Sequence, residues 1–369
     1  MRGETNRQET MLSLWTPEQR VPADHPLRKI KVLADRELKR LSPVFDEMYS
    51  HTGRPSVPPE RVLKALLLMA LYTIRSERQL CEQLDYNLLF RWFLDMNQVE
   101  SCFDATVFCK NRERLLEHEV GKLFFDNVVK SAQDGGLVSA DHFTVDSTLI
   151  EAWASLKSFR RKDRSEPAGD EGDPGNATVN FHGEKRSNAT HESTTDPESR
   201  LYRKGPGKEA KLYYGAHALM ENRHGLLLDI SVTFADTKSQ WSAAEQMLRR
   251  QAKKRRRPRT LGGDKGYDTR GFVTMLKERG IAVHIAANDK RRGGSAVDKQ
   301  IRKRKGYAIS QRVRKRIEEI FGWMKTIGGV RKTHYKGRAR TQLAVWMVGA
   351  AYNLLRMAKL RPEPALTGT

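Results

Sequence analysis

Cysteine is nearly absent. The 369 residues hold three, Cys81, Cys102 and Cys109. The number is odd and the spacing is not that of a zinc knuckle, which argues against a disulfide framework and against a structural zinc site. A long apolar run is missing too. The stretch from Leu343 to Leu355 is too short to span a bilayer and is followed by Arg356, Lys359 and Arg361. The N-terminal MRGETNRQET carries no apolar signal core. These absences point to a soluble, cytoplasmic chain with no membrane partner, in which the Asn-Ala-Thr sequons at Asn176 and Asn188 carry little meaning. Acid is scarce relative to base: 45 Asp and Glu against 67 Lys and Arg, a formal net charge of +22. A surplus of that size says nothing about fold but directs the protein toward polyanions. Hydrophobic residues make up 38% of the chain, enough for a substantial core, and the length suits two domains.

Periodicity divides the chain. Residues 1–24 read as a flexible arm. Residues 25–132 are helical in pattern, with helices expected over Leu27 to Tyr49, Glu60 to Ile74, Glu77 to Leu84, Asn87 to Met96 and Val107 to Ala132. Pro58 and Pro59 open the second of these. From 133 to 360 strand-like and helical runs alternate. Strands are expected over His142 to Leu149, Lys211 to Met220, Leu226 to Phe234, Thr260 to Gly263 and Ile281 to Ala287, with a hairpin turn at His224-Gly225. Helices are expected over Ala243 to Lys254, Gly271 to Arg279, Val313 to Thr326 and Thr341 to Leu360. That order predicts an α/β fold: an RNase-H-like mixed sheet with flanking helices, preceded by an all-helical N-terminal domain. Residues 155–208 are polar and break the pattern, so an insertion mobile without a partner is expected there. Residues 361–369 form a tail.

Three acids sit where metal chemistry needs them. Asp146 follows the apolar run Phe143-Thr144-Val145. Asp264 follows Leu261-Gly262-Gly263, whose glycines let the backbone approach a ligand. Glu318 lies in RVRKRIEEIFGWMK. On a continuous helix, Arg314, Glu318 and Lys325 fall within about 40° of one another, beside the apolar face of Val313, Ile317, Ile320, Phe321 and Met324. Glu319 falls on another flank. Phosphodiester cleavage by two metals needs carboxylate oxygens that hold Mg²⁺ ions roughly 4 Å apart, and nearby cations to hold the phosphate. Taken singly, an Asp after a strand is more often a turn or helix cap, and a Glu between basic residues more often a surface ion pair.

With those acids in place the sequence resembles bacterial insertion-sequence transposases of the DDE class, in the group called IS-four/IS-five. The resemblance runs over about residues 15 to 358. HPLRKI, GRPSVPPERVLKALLLMALYTIRSERQLCEQLDYNLLFRWFLDM and FDATVFCKNRERL resemble the InsH-type N-terminal domain. VDSTLIEAWAS, YYGAHALMENRHGLLLDISVTFAD, LGGDKGYDT and RKRIEEIFGWMKTIGG resemble the catalytic part. The resemblance implies catalytic, metal-holding roles for Asp146, Asp264 and Glu318, with two Mg²⁺ ions (Mn²⁺ as an alternative). Arg314, Glu318 and Lys325 fit the family's Tyr-Arg-Glu-Lys signature, which implies phosphate contact for the two cations. The tyrosine position is Gln311. The implied activity is cleavage of DNA at terminal inverted repeats and joining of the 3′-hydroxyls to target DNA. A homodimer on double-stranded DNA and a nucleoid-associated place in a bacterial cytoplasm go with it. The alternatives are a nuclease of the same fold that cuts without joining, and a DNA-binding relative that has lost catalysis.

Two further groups are candidates for DNA contact. Lys253, Lys254, Arg255, Arg256 and Arg257, with Arg259 and the basic segment from Lys290 to Lys305, suit phosphate binding. The helices between Pro58 and Met96 suit entry of one helix into the major groove, with Arg75, Arg78 and Gln79 reaching base edges. The competing reading is a solvated basic face and ordinary helix packing. Trp153 invites base stacking, whereas His142 and His217 read as core or edge histidines of strands.

Overall fold

The computed structural model describes residues 16–50, 52–163, 180–181, 184–205, 207–236 and 239–360. Parts of three expected segments lie outside the described residues: 1–15 of the arm, 164–179, 182, 183 and 206 of the insertion, and the tail 361–369. The chain divides into two compact units. No described helix is long and apolar enough to cross a membrane.

The first unit is helical. It comprises α1 (Pro17–Arg20), α2 (Pro26–Arg40), α3 (Ser42–Met48), α4 (Pro59–Leu71), α5 (Glu77–Tyr86), α6 (Leu88–Phe93), α7 (Ala105–Glu117) and α8 (Val120–Asp134), together with residues from 343 onward. Two long helices read from the sequence are each split. The first breaks at Leu41, because Pro43 has no amide hydrogen to continue the ladder of α2. The second breaks at Glu119, whose φ of 51° is left-handed and ends the α-ladder between α7 and α8. Helix α4 is buried on nearly every side, through Val62, Leu63, Ala65, Leu66, Leu67 and Leu68. Its most deeply buried cation, Lys64, is held by Asp35 and Asp95, which also bind Lys31. A buried charge persists only when paired in this way.

The second unit is built on a sheet. Its elements are β1 (His142–Glu151), β2 (Phe159–Arg161), β3 (Asn180–Phe181), β4 (Glu184–Lys185), β5 (His191–Ser193), β6 (Arg200–Arg203), β7 (Ala210–Glu221), β8 (Leu226–Phe234), α9 (Ser239–Lys253), β9 (Thr260–Gly263), α10 (Arg270–Glu278), β10 (Ala282–Ile285), α11 (Lys299–Arg302), α12 (Lys305–Val313) and α13 (Ile317–Thr326). A last helix, α14 (Arg338–Leu360), begins in this unit, and its residues from 343 belong to the helical one. The sheet order is β10-β9-β1-β7, with β6 and β8 along the outer edge of β7. Strands β8, β7 and β1 are antiparallel; β9 and β10 run parallel to β1. Three antiparallel strands joined to two parallel ones, with helices between, is the RNase-H-like layout the element order predicts. The expected strands recur with small shifts at their ends. Strand β6 escaped the sequence pattern because RLYR, at the sheet edge, is too short and polar to show a period.

Polar residues lock the loops to this sheet. Asp196 is buried and accepts hydrogen bonds from the Tyr214 hydroxyl at 2.7 Å, fixing the chain before β6 against β7. Asp268 is fully buried after β9. Its two oxygens accept from the amides of Asn288, at 2.7 Å, and Ala296, at 2.9 Å, while Arg291 donates to its carbonyl. One side chain therefore closes the whole segment after β10. In Asp268→Ala both amides lose their acceptor. A loss of about 2–4 kcal/mol in urea unfolding is expected, with faster hydrogen exchange at Asn288 and Ala296. A loss below about 0.5 kcal/mol would show that other contacts hold the segment.

Candidate active site

The site begins with strand register. β1 and β9 pair in parallel as far as Thr144↔Gly262. Two residues farther along each chain stand Asp146 and Asp264, and Asp264 keeps an extended backbone (φ −76°, ψ 179°). Residues two apart share a face of a strand, and neighbouring strands lie about 4.8 Å apart. The two acids therefore leave one face of the sheet side by side, Asp146 midway along β1 and Asp264 just past the last residue of β9. β1 is buried through Phe143, Thr144 and Val145 and becomes half-buried from Asp146 to Leu149, so the site opens where the core closes.

Glu318 arrives on the first turn of α13. The approach differs from one continuous helix. The chain passes from α12 through a 3-10 turn at Arg314–Arg316 into α13, so Arg314 is not placed by helical repeat alone. It is placed by contact with β9. A Cβ on Gly262 would lie 3.3 Å from that of Arg314 and 3.1 Å from the His142 ring. Only glycine admits so close a crossing without displacement. Buried polar bonds then pin the segment to the sheet. His142 joins Thr260 at 2.7 Å and Ser310 at 3.0 Å through its two ring nitrogens. Asn222 accepts from Thr144 at 2.8 Å and donates to the Val313 carbonyl at 3.2 Å. Arg316 donates to the Asn222 carbonyl at 2.7 Å.

Electrostatics bring the predicted residues together. Burial raises the Asp146 carboxyl to about 6, with the charges of Asp264 and Glu318 adding to the rise and Arg314 and the Ser147 amide opposing it. The three acids and Arg314 thus share one field. Lys325 donates to the Thr148 hydroxyl, on the same face of β1 as Asp146. Burial lowers the Lys325 ammonium, and the charges of Lys204 and Arg331 lower it further. Those two cations come from distant segments and left no trace in the sequence pattern. Tyr267 was also missed. It is fully buried, its phenol pushed well up by burial and then by Asp146 and Asp264, with Ser147 opposing the rise.

The donor chemistry fits a hard divalent cation: carboxylates only, with no thiolate or imidazole in the group, and a buried acid strained by its neighbours' charge. Among the described residues no three acidic, His or Cys side chains already converge to hold an ion. Asp146 Oδ1 accepts from the Ser147 amide at 2.7 Å and Asp264 Oδ1 from the Gly266 amide at 2.9 Å. Asp264 is thus a cap as well as a candidate ligand, and each acid keeps a second oxygen for other use.

The remaining candidates separate. His142 is satisfied at both nitrogens, and His217 is buried against Thr233 at 2.8 Å; burial holds both near a pKa of about 4. Lys253, Arg255 and Arg257 are exposed at the end of α9 and Lys254 is half-buried. Arg256 is a correction to the basic run: it is buried and donates to Gln251 at 3.0 Å, so its charge serves the fold. In the helical unit, Arg75, Arg78 and Gln79 are exposed at the start of α5. The Gln79 side-chain oxygen accepts from the Arg75 amide at 3.3 Å, which commits its acceptor to capping. Trp153 is 47% exposed, its ring 6.3 Å from that of His334.

Residues 178–354 match the family model described as the transposase DDE domain, and residues 15–114 the one described as a transposase domain, DUF772. Asp264 and Glu318 lie inside the first match; Asp146 precedes it and joins the site through the sheet. No curated protein matches the chain. Among solved structures, the piggyBac transposase synaptic complex with hairpin DNA is similar at a TM-score of 0.37 and 11% identity, over 95% of this chain and 84% of that one. A Mos1 transposase paired-end complex with left transposon end gives 0.20 and 13%, over 68% of this chain and 65% of that one. A Mos1 mariner paired-end complex with Mn gives 0.20 and 12%, over 80% and 83%.

The raised Asp146 pKa makes a stability prediction. The unfolded chain loses this proton near 3.8 and the folded one near 6. The metal-free fold is therefore fully stable with respect to this group below the first value. It loses stability as pH rises between the two and keeps the deficit above them. Asp146→Asn should match wild type near pH 3.8 and exceed it by about 2 kcal/mol above pH 6, allowing for partial exposure. The neutral histidines act in the opposite sense in both proteins and cancel in the difference. Thermal unfolding in EDTA across that range is the measurement, and an advantage that does not grow with pH would refute the shift.

Proposed function

We propose that this chain, whose residues 178–354 match the transposase DDE domain and 15–114 a transposase domain, binds the terminal inverted repeats of its own insertion sequence, cleaves the DNA ends and joins the freed 3′-hydroxyls to target DNA. The observation that supports this most is the register of β1 on β9, which sets Asp146 in the middle of β1 beside Asp264 just past β9, with Glu318 within electrostatic reach.

Asp146, Asp264 and Glu318 are the residues that would hold divalent metal, two Mg²⁺ ions with Mn²⁺ as an alternative. When bound, such ions supply Lewis acidity and lower the pKa of an attacking water or 3′-hydroxyl. The chain supplies the rest. The acids lie at the boundary between core and solvent, so charge developing there is poorly screened. Arg314 sets a cation beside Asp146, and Lys325 sets another two residues along β1 at Thr148. In this reading they orient a scissile phosphate and its neighbour. Lys204 and Arg331 add charge around Lys325, which suits a polyanion better than a small ligand. Lys253, Lys254, Arg255 and Arg257 provide sequence-independent phosphate contact, and Arg75 and Arg78 at the start of α5 take part in end recognition. Two DNA ends must be handled together, so the working form is a homodimer on DNA.

The test is a joining assay with a labelled terminal-repeat duplex, a supercoiled target plasmid and Mg²⁺. Joined product is expected from wild type. Asp146→Ala, Asp264→Ala and Glu318→Ala should each reduce cleavage and joining by roughly 10²- to 10³-fold or more, with end binding retained. Cleavage without joining would replace the transposase reading with a nuclease. Binding with no cleavage would leave an inactive DNA-binding relative.

A further inference from the structure

The position where the resemblance leads one to expect tyrosine holds Gln311, and its amide is used at both ends. Gln311 Nε2 donates to the His284 carbonyl at 2.6 Å, and Gln311 Oε1 accepts from Arg314 Nε at 3.0 Å. His284 lies on β10, the edge strand beside β9. The His284 carbonyl is held in place by the strand it belongs to, and it becomes the fixed point from which Gln311 reaches Arg314. The bridge therefore runs from sheet edge to amide to guanidinium.

Its effect on Arg314 is geometric. A guanidinium has five N–H donors in a rigid plane, one on Nε and two on each Nη. With Nε engaged, the plane is held and the two Nη nitrogens remain as a fork. Among the described residues that fork has no hydrogen-bond or ion-pair partner, although Arg314 is half-buried and its charge acts on Asp146. Such a fork matches two oxygens of a phosphate. Free rotation about the long side chain would otherwise spread it over many directions.

We propose that Gln311 is a positioning residue that acts through Arg314, fixing its guanidinium so that both Nη groups meet the scissile phosphate. This rests on the reading of Arg314 as a phosphate-binding residue. Lysine at 314 keeps the charge but lacks the Nε that Gln311 holds, so the pair is separable by a double-mutant cycle.

Gln311→Met, Arg314→Lys and the double variant are compared in single-turnover cleavage of a terminal-repeat duplex with Mg²⁺. Duplex affinity is read in parallel by fluorescence anisotropy with Ca²⁺. Gln311→Met should slow cleavage by roughly ten- to a hundredfold, the scale of a misplaced group, with Kd changed by less than about threefold. Arg314→Lys should be slowed to a similar degree, and the double variant no further. Multiplying losses would overturn the proposal, as would an unchanged rate in Gln311→Met. A second measurement does not depend on activity. The Arg314 Nε–H signal, assigned by its loss in Arg314→Lys, should be protected from exchange in wild type and unprotected in Gln311→Met. An unprotected signal in wild type overturns the proposal by itself. If wild type fails to cleave at all, the transposase reading falls, and this signal still decides whether Gln311 holds Arg314.

Discussion

The site depends on the parallel pairing of β1 with β9. Asp146 and Asp264 are 118 residues apart in sequence, yet one register, Thr144↔Gly262, carries both to the same level and face of the sheet. A slip of one residue would turn one of them to the opposite face. Two half-buried acids side by side repel, and the fold tolerates this because the hydrophobic strands beneath them, with Phe143, Val145 and Leu261 buried, fix the register independently. The strained Asp146 carboxyl is the cost of holding acids where a cation would use them.

Everything added to that pair is attached by contact with the same two strands. Gly262 lets the α12–α13 segment cross β9 closely, and His142, Asn222 and Arg316 hold it with half-buried hydrogen bonds. The 3-10 turn between the helices then sets how Arg314 and Glu318 face β1. The rigidity is local: few side chains, each bonded at more than one atom, and little dependence on helix propensity. Substituting Gly262 would consequently disturb both Arg314 and His142.

The positive charge divides into two populations. Arg256 bonds Gln251, Arg302 bonds the Val297 carbonyl and Asp289, Arg250 grips Asp229, and in the helical unit Arg112 pairs with Glu77. These cations build structure. Others, such as Arg78, Lys253, Arg255 and Arg257, stand exposed, and the proposed contact with DNA draws on these. A net charge of +22 thus overstates what faces a ligand, because long guanidinium side chains also serve as multi-donor clamps for buried carbonyls and carboxylates.

Much of the fold was legible in the chain. Period-two runs locate β1, β7 and β8, the Leu-Gly-Gly run locates β9, and the order of elements implies the sheet. Proline and a left-handed residue set helix breaks that a periodic pattern passes over, because neither alters the spacing of apolar side chains. The acids were legible as types in context: Asp146 on a strand, Asp264 after one, and Glu318 on a helix beside its apolar face. Their meeting was not, since periodicity describes one segment at a time and says nothing of which strands pair. Nor was the use of Arg256 inside the fold, the ring of Lys204 and Arg331 around Lys325, or the buried hydroxyl of Tyr267. Sequence alone determined the elements and the chemistry available to them. Only the tertiary structure decided which groups share a field, because charge and hydrogen bonding act over a few ångströms of space whatever the distance along the chain.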